Sequence, residues 1–415
     1  EADREILPGA RETGGCPSTA MTSLYLSLLP PHASFHQPRR LDETCYASSL
    51  FVNGSSTGSS NFGGGCSKPI AECGSPPSFV SAPDRRIVAV GDLHGDLSQA
   101  TRALQMANVV SSDGQYLWIG GETVLIQVGD VIDRGQDDIA ILSLLRSLDI
   151  QARAQGGAVF QINGNHETMN VEGDFRHVGP GAFDESISFL KYLDDYENDW
   201  EEAFLGWLGA SQRLKEGREM SLEYRGPWNQ AKKQKGVVAR STLLRPGGRL
   251  ACELARHAVV LKVEDWIFCH GGLLPHHVAY GVERMNEEVS HWMRGHCENP
   301  EGLNFPFMAI RGDESVVWNR LYSTDIPDME DCHSEQIGLI LEETLVAAEA
   351  QAMVVGHTIQ SEGVRCKYNG RVWCIDVGMS SGVLNSVPEV LEIRNNAARV
   401  IKGDTVHEIP VTNYT

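Results

Sequence analysis

Five short stretches of the chain carry residues suited to holding cations and anions together. The densest is Gly129-Asp130-Val131-Ile132-Asp133-Arg134-Gly135, which sets two carboxylates and a guanidinium within five residues. Carboxylate oxygens ligate hard metal ions, and a forked guanidinium takes phosphate oxygens in pairs. The others are Gly91-Asp92-Leu93-His94-Gly95, Gly164-Asn165-His166-Glu167, His270-Gly271-Gly272 and Gly356-His357-Thr358. Their donors are oxygens and imidazole nitrogens, with no thiolate among them. Such a set suits manganese, iron or zinc in a catalytic site rather than a closed structural zinc site. Taken singly, each stretch has a plainer explanation, since Asp and Gly after a strand are common turn residues. Five repeats of one pattern along one chain make that explanation cumbersome.

Each stretch follows an apolar run. Residues 87–90, 124–128, 158–162, 266–269 and 352–355 read as buried strands, and 258–261 as another. Ligands of open α/β sheets collect just past the carboxyl ends of such strands. Helical spacing follows, with Leu97, Ala100 and Leu104 on one face, then Ile139, Leu142, Leu145 and Leu148 on another. Strand, loop, helix, strand predicts an α/β layered domain. The rhythm breaks between 170 and 257, where Tyr196, Trp200, Phe204 and Trp207 recur at helical spacing. That predicts a helical insertion, either packed on the core or overhanging the site and shaping access. The 213–217 stretch and the basic 232–235 run read as solvated surface. Further on, a helix is expected at 335–350 and short strands near 389–393 and 398–402. Asn369-Gly370 predicts a hairpin between 366–368 and 371–374. In that register Cys366 opposes Trp373, so the thiols of Cys366 and Cys374 do not meet.

With 415 residues, of which 41% are hydrophobic, the chain can bury a sizeable core in one large domain or two. Its formal net charge is −20, with no basic stripe, which argues against a nucleic-acid partner. An anionic substrate would need cations supplied locally. No apolar run reaches the ~18 residues of a membrane span. The ten cysteines are scattered and form no Cys-x-x-Cys pair; Cys66 with Cys73, or Cys297 with Cys332, remain open as redox pairs.

Residues 1–80 read as a disordered tail. Met21 is a plausible start. Thr13 to Leu41 holds no acidic residue, is rich in Ser, Thr and Pro, and ends in Arg39-Arg40, the composition of an organelle transit peptide. The expectation is a chloroplast protein, with a mitochondrial or cytosolic one as the alternative. Ten of the fifteen residues 53–67 are Gly or Ser, which reads as a flexible linker. The catalytic domain is expected at 81–415.

In order and separation, the five stretches resemble the motifs of the phosphoprotein phosphatase family. Gly-Asn-His-Glu-Thr-Met-Asn at 164–170 and Asp-Val-Gly-Met-Ser-Ser-Gly at 376–382 resemble its Shewanella-like branch, and within it the plastid-type plant members. The resemblance spans roughly 80–413. It implies the calcineurin-like metallophosphoesterase fold: two mixed β-sheets face to face, flanked by helices. It also implies two divalent or trivalent metal ions, manganese first, with iron or zinc as alternatives. Asp92, His94 and Asp130 would hold one, and Asp130, Asn165, His270 and His357 the other. A metal-bridging hydroxide would attack phosphate monoesters on phosphoproteins. His166 would be the general acid, Asp133 its orienting partner, and Arg134 with Arg320 the phosphate-binding cations. Arg311 and Arg176 compete with Arg320 for that role. Three other functions fit the motifs less well. They are a diadenosine-tetraphosphate hydrolase, a nuclease of the same architecture, and a scaffold that binds phosphoproteins without catalysis. Familiar members carry a Ser-Ala-Pro-Asn-Tyr loop that docks toxins of the okadaic acid and microcystin type. Residues 376–382 stand in its place here and contain no tyrosine.

Overall fold

The computed structural model describes residues 75–219, 230–295, 305–324, 331–403 and 405–407. Twelve strands are found among them. In chain order these are β1 (Phe79–Val80), β2 (Ile87–Val90), β3 (Val124–Gln127), β4 (Ala158–Gln161), β5 (Val260–Val263) and β6 (Trp266–Cys269). They continue as β7 (Ala352–Val355), β8 (Arg365–Lys367), β9 (Val372–Cys374), β10 (Glu389–Arg394), β11 (Ala397–Lys402) and β12 (Thr405–His407). They form two six-stranded mixed sheets, ordered β1-β5-β6-β7-β9-β8 and β12-β11-β10-β2-β3-β4. Within the second, β2, β3 and β4 run parallel while β10 is antiparallel to β2. Within the first, β6, β7 and β9 run parallel. One continuous apolar core joins the two sheets.

The strands expected at each site motif are present. β2, β3 and β4 are buried at every position, which is why they read as continuous apolar runs and not as alternating ones. The hairpin register is also as expected, with Cys366 opposite Trp373, and no disulfide joins Cys366 to Cys374. One boundary differs from expectation. Phe79–Val80, expected inside the 1–80 tail, pairs in parallel with Lys262 and Val263 at the edge of the first sheet, so the domain begins before residue 81. A two-residue strand has no periodicity to read, and only its neighbour defines it. The expected transit segment and Gly/Ser linker lie outside the described residues, as do the Cys66/Cys73 and Cys297/Cys332 pairs.

The expected insertion is helical, with helices at Pro180–Asp195, Trp200–Glu219, Gln230–Leu244 and Arg249–Leu254. Its aromatic residues pack inward: Phe204 and Trp207 are buried, and Phe189 stacks edge-on against both Trp200 and Trp207. The insertion covers the outer side of the helix Asp138–Ala154, so that helix is buried on nearly all faces. Glu185 fastens the two together, accepting hydrogen bonds from Ile139 N and Ala140 N, both at 2.9 Å, and from Trp207 Nε1 at 3.0 Å.

Candidate metal centre

The loops after β2, β3, β4, β6 and β7 meet at one edge of the sandwich. Main-chain hydrogen bonds stitch them together. Asp130 O accepts from Leu93 N and His94 N at 3.0 and 2.9 Å, and His270 O accepts from Gly356 N at 2.9 Å. His94, Asp130, Asp133, Arg134 and His357 all hold positive φ, between 44° and 74°. That conformation is costly for residues with a Cβ and persists where the surroundings over-determine it. Two glycines make room for carboxylates: a Cβ on Gly164 would lie 2.3 Å from Asp130 Oδ1, and one on Gly356 would lie 2.3 Å from Asp92 Oδ1. Glu167 holds the loops in register. Its carboxylate accepts from Asp130 N and Val131 N, both at 2.9 Å, from Ile132 N at 3.3 Å and from Gly164 N at 2.7 Å.

This scaffold gathers all six expected ligands into one buried cluster. The ligand atoms of Asp130, His270 and His357 lie within 4.8 Å of one another, and so do those of His94, Asp130 and His166. Asp92 Oδ2 is 4.0 Å from His94 Nε2, and Asn165 Oδ1 is 3.0 Å from His270 Nε2. Asp130 is therefore common to both halves.

The cluster fits bound cations. His270 Nδ1 lies 2.9 Å from Val128 O and His94 Nδ1 lies 3.2 Å from Ile132 O, so each Nδ1 carries the hydrogen. The Nε2 atoms then face oxygens: His270 Nε2 is 3.2 Å from Asp130 Oδ2, and His94 Nε2 is 3.8 Å from it. Burial opposes charge on His270, but Asp130 outweighs burial and holds its pKa above the ordinary value, so a cation, proton or metal, belongs between that ring and the carboxylate. His357 Nε2 is buried with no hydrogen-bond partner among the described residues. Burial holds His94 down to about 3 and His357 well below the usual range, so both rings are neutral and able to ligate. Burial, then Asp376, then Asp130 push Asp92 well above the usual carboxylate range, and burial pushes Asp376 up to about 6. Three buried carboxylates in mutual repulsion are what a divalent ion relieves.

His166 differs from the other imidazoles. Its Nδ1 is 2.7 Å from Asp133 Oδ2, and its Nε2 is 3.8 Å from Asp130 Oδ2. Burial works against its charge, but Asp130 and Asp133 outweigh burial and hold its pKa above the ordinary value. A ring kept protonated beside the ligands is placed to give up a proton.

The arginines sort by position. Arg134 is exposed at the rim, and it lines a cavity of about 740 Å³ with Gly95, Arg102, Gly179 and Gly382. Arg320 Nη1 donates to His357 O at 3.0 Å and to Thr358 Oγ1 at 3.1 Å, which sets it beside the cluster. Arg311 is paired with Glu172 at 2.7 Å, and Arg176 with Asp174 at 2.6 Å. Those two rivals are engaged elsewhere.

Four residues of the site carry no role that the sequence reveals: Glu167, Asn170, Asp376 and Arg240. Glu167 and Asn170 lie inside the quoted motif, and a carboxylate three residues past Gly164 is a usable cue for a loop-pinning residue. Asp376 sits where β9 ends, the same cue that marks the other ligands. Arg240 has no local signal.

Fold and cluster together define the class: an α/β sandwich carrying a metal-ligating centre at its strand ends. A model of the calcineurin-like phosphoesterase family matches residues 85–358. Shewanella-like protein phosphatase 2 of Arabidopsis thaliana is 37% identical over 327 residues, 78% of this chain and 79% of that relative. Shewanella-like protein phosphatase 1 of Plasmodium berghei is 25% identical over 320 residues, 76% of this chain and 74% of that relative. Among solved structures, a cold-active protein-tyrosine phosphatase of a psychrophilic Shewanella species shares the fold. Its TM-score is 0.52 at 20% identity, over 80% of this chain and 82% of that one. The chain belongs to the calcineurin-like phosphoesterase family, in its Shewanella-like protein phosphatase branch.

Proposed function

We propose that this chain is a metal-dependent phosphoprotein phosphatase that hydrolyses phosphate monoesters. The observation that carries the reading is Asp130 shared between two buried groups of metal-type donors, with His94 and His166 in one and His270 and His357 in the other. In this reading Asp92, His94 and Asp130 hold one ion, and Asp130, Asn165, His270 and His357 hold the other. Manganese is our first assignment, with iron and zinc sharing the same donor preferences. When bound, a metal pair supplies Lewis acidity that polarises the phosphoryl oxygens and acidifies the attacking water.

The protein's own groups do the rest. Arg134 and Arg320 fork onto the phosphate oxygens, and their charge answers the acidity of the whole chain. His166 gives its proton to the departing alkoxide, while Asp133 holds the ring by Nδ1 so that Nε2 faces the cluster. The cavity beside Arg134 gives a phosphorylated segment room to lie across the rim.

The test is a pair of variants of the full chain. Asp130→Asn weakens a ligand common to both ions, so metal content and turnover both collapse. His166→Ala keeps both ions, measured by mass spectrometry, and loses turnover on a phosphothreonine peptide by ~10²- to 10⁴-fold, the usual worth of a general acid. Wild-type turnover by Asp130→Asn would sink the two-metal assignment. Loss of metal from His166→Ala would make His166 a ligand.

The composition of the tail supports a further proposal, that residues 21–80 direct import into the plastid.

A further inference from the structure

Behind the His166–Asp133 pair lies a buried cation that the mechanism proposed for the phosphatase does not use. Arg240 comes from the insertion helix Gln230–Leu244 and is 1% exposed. Its Nη2 lies 2.9 Å from Asp133 Oδ1 and 2.8 Å from Asp138 Oδ2, and its Nε donates to Asn170 Oδ1 at 2.6 Å. Asn170 Nδ2 in turn donates to both Asp133 oxygens, at 2.9 and 3.0 Å, and to His166 O at 2.9 Å. Asp133 N donates to Asp138 Oδ1 at 3.1 Å. The carboxylate of Asp133 is thus gripped from the side away from the site. Its Oδ1 is occupied by Arg240 and Asn170, and its Oδ2 is turned to His166 Nδ1.

Stability alone is a weak reason for this arrangement. A buried guanidinium flanked by two carboxylates is desolvated at a cost that its ion pairs only roughly offset, and apolar packing would serve a helix contact as well. What the arrangement does supply is a fixed orientation. Without Arg240, only Asn170 still holds both Asp133 oxygens, and any freedom the carboxylate gains passes to the His166 ring. Positioning errors beyond about 0.5 Å are enough to degrade proton transfer.

We propose that Arg240 is a positioning residue for catalysis: by clamping Asp133 Oδ1 it aims Oδ2 at His166, making acid catalysis depend on the docked helical insertion. The proposal rests on the phosphatase reading and extends it to the helical insertion, outside the ligand loops in sequence.

The experiment compares two substrates in the manganese-loaded full chain. A phosphothreonine peptide has a poor leaving group and needs the acid, whereas p-nitrophenyl phosphate has a good one and does not. Arg240→Lys keeps the charge but loses the fork. We expect its kcat on the peptide to fall by ~30-fold, part of the full worth of a general acid. KM, metal content and the p-nitrophenyl phosphate rate should stay within about 3-fold, with coupling to His166 as the criterion. In the His166→Ala background the same substitution should add less than about 2-fold, because the acid it serves is already gone. If Arg240→Lys does not fold, Arg240→Met combined with Asp138→Asn removes one buried charge of each sign and should show the same split. An equal fall on both substrates, an additive loss in the His166→Ala background, or no loss at all would overturn the proposal. Failure of the unmodified chain to hydrolyse either substrate would instead count against the phosphatase reading itself.

Discussion

A single methyl group at Gly356 tests the geometry of the centre most directly. A Cβ there would stand 2.3 Å from Asp92 Oδ1, 3.2 Å from Val128 Cγ2 and 3.4 Å from His270 Nδ1. Non-bonded heavy atoms settle at roughly 3.5 Å, so the Asp92 carboxylate must retreat by about 1 Å. It has nowhere to go, since it is 2% exposed and accepts from His357 N at 3.2 and 3.3 Å. Gly356 does not hold a positive φ, so alanine brings no backbone strain and the effect is purely steric. Ligand constellations tolerate errors of about 0.5 Å, and a misplacement of ~1 Å can lower the rate by ~10²-fold. We expect Gly356→Ala to lose one of two metal ions and to reduce kcat/KM by about 100-fold, or about 2.7 kcal/mol of transition-state stabilisation. Gly338 is the matched control. It lies in the helix Asp331–Ala347, and a Cβ there meets nothing within 4 Å. Gly338→Ala should leave activity unchanged and favour the helix by up to ~1 kcal/mol. Metal analysis and steady-state kinetics on the two variants decide the matter. If Gly356→Ala kept both ions and wild-type turnover, the placement of Asp92 in the centre would be wrong.

Two further outcomes are expected. Residues 376–382 offer no tyrosine to a toxin of the okadaic acid or microcystin type, and a lost aromatic anchor commonly costs ~2 kcal/mol or more, about 30-fold in affinity. The chain should therefore stay active at toxin concentrations that silence the familiar enzymes; nanomolar inhibition in a dose–response assay would contradict this. For the tail, a fluorescent fusion of residues 21–80 should enter plastids. Mitochondrial entry would redirect the destination, and cytosolic retention would remove the targeting role.

The strand ends and their donors are legible in the sequence because both signals are local. An apolar run of four or five residues followed by Gly and Asp or His declares a buried strand and the ligand at its end within one window of sequence. The hairpin register is legible for the same reason, since Asn369-Gly370 sets the pairing of its neighbours on both sides. The choice among Arg320, Arg311 and Arg176 is not legible there. All three are arginines on loops, and only the folded chain shows two of them engaged by Glu172 and Asp174. Nor does β1 announce itself, since two residues become a strand only when β5 lies beside them. Arg240 is the clearest case. It stands 107 positions from Asp133 on a helix whose exposed basic neighbours read as solvated surface, yet it is buried against two carboxylates. Long-range ion pairs of this kind have no sequence period, because packing between elements, and not the propensity of either one, brings the charges together. The identity of the donors is thus written locally, while the partners that aim them come only from how the sheets and the insertion close on one another.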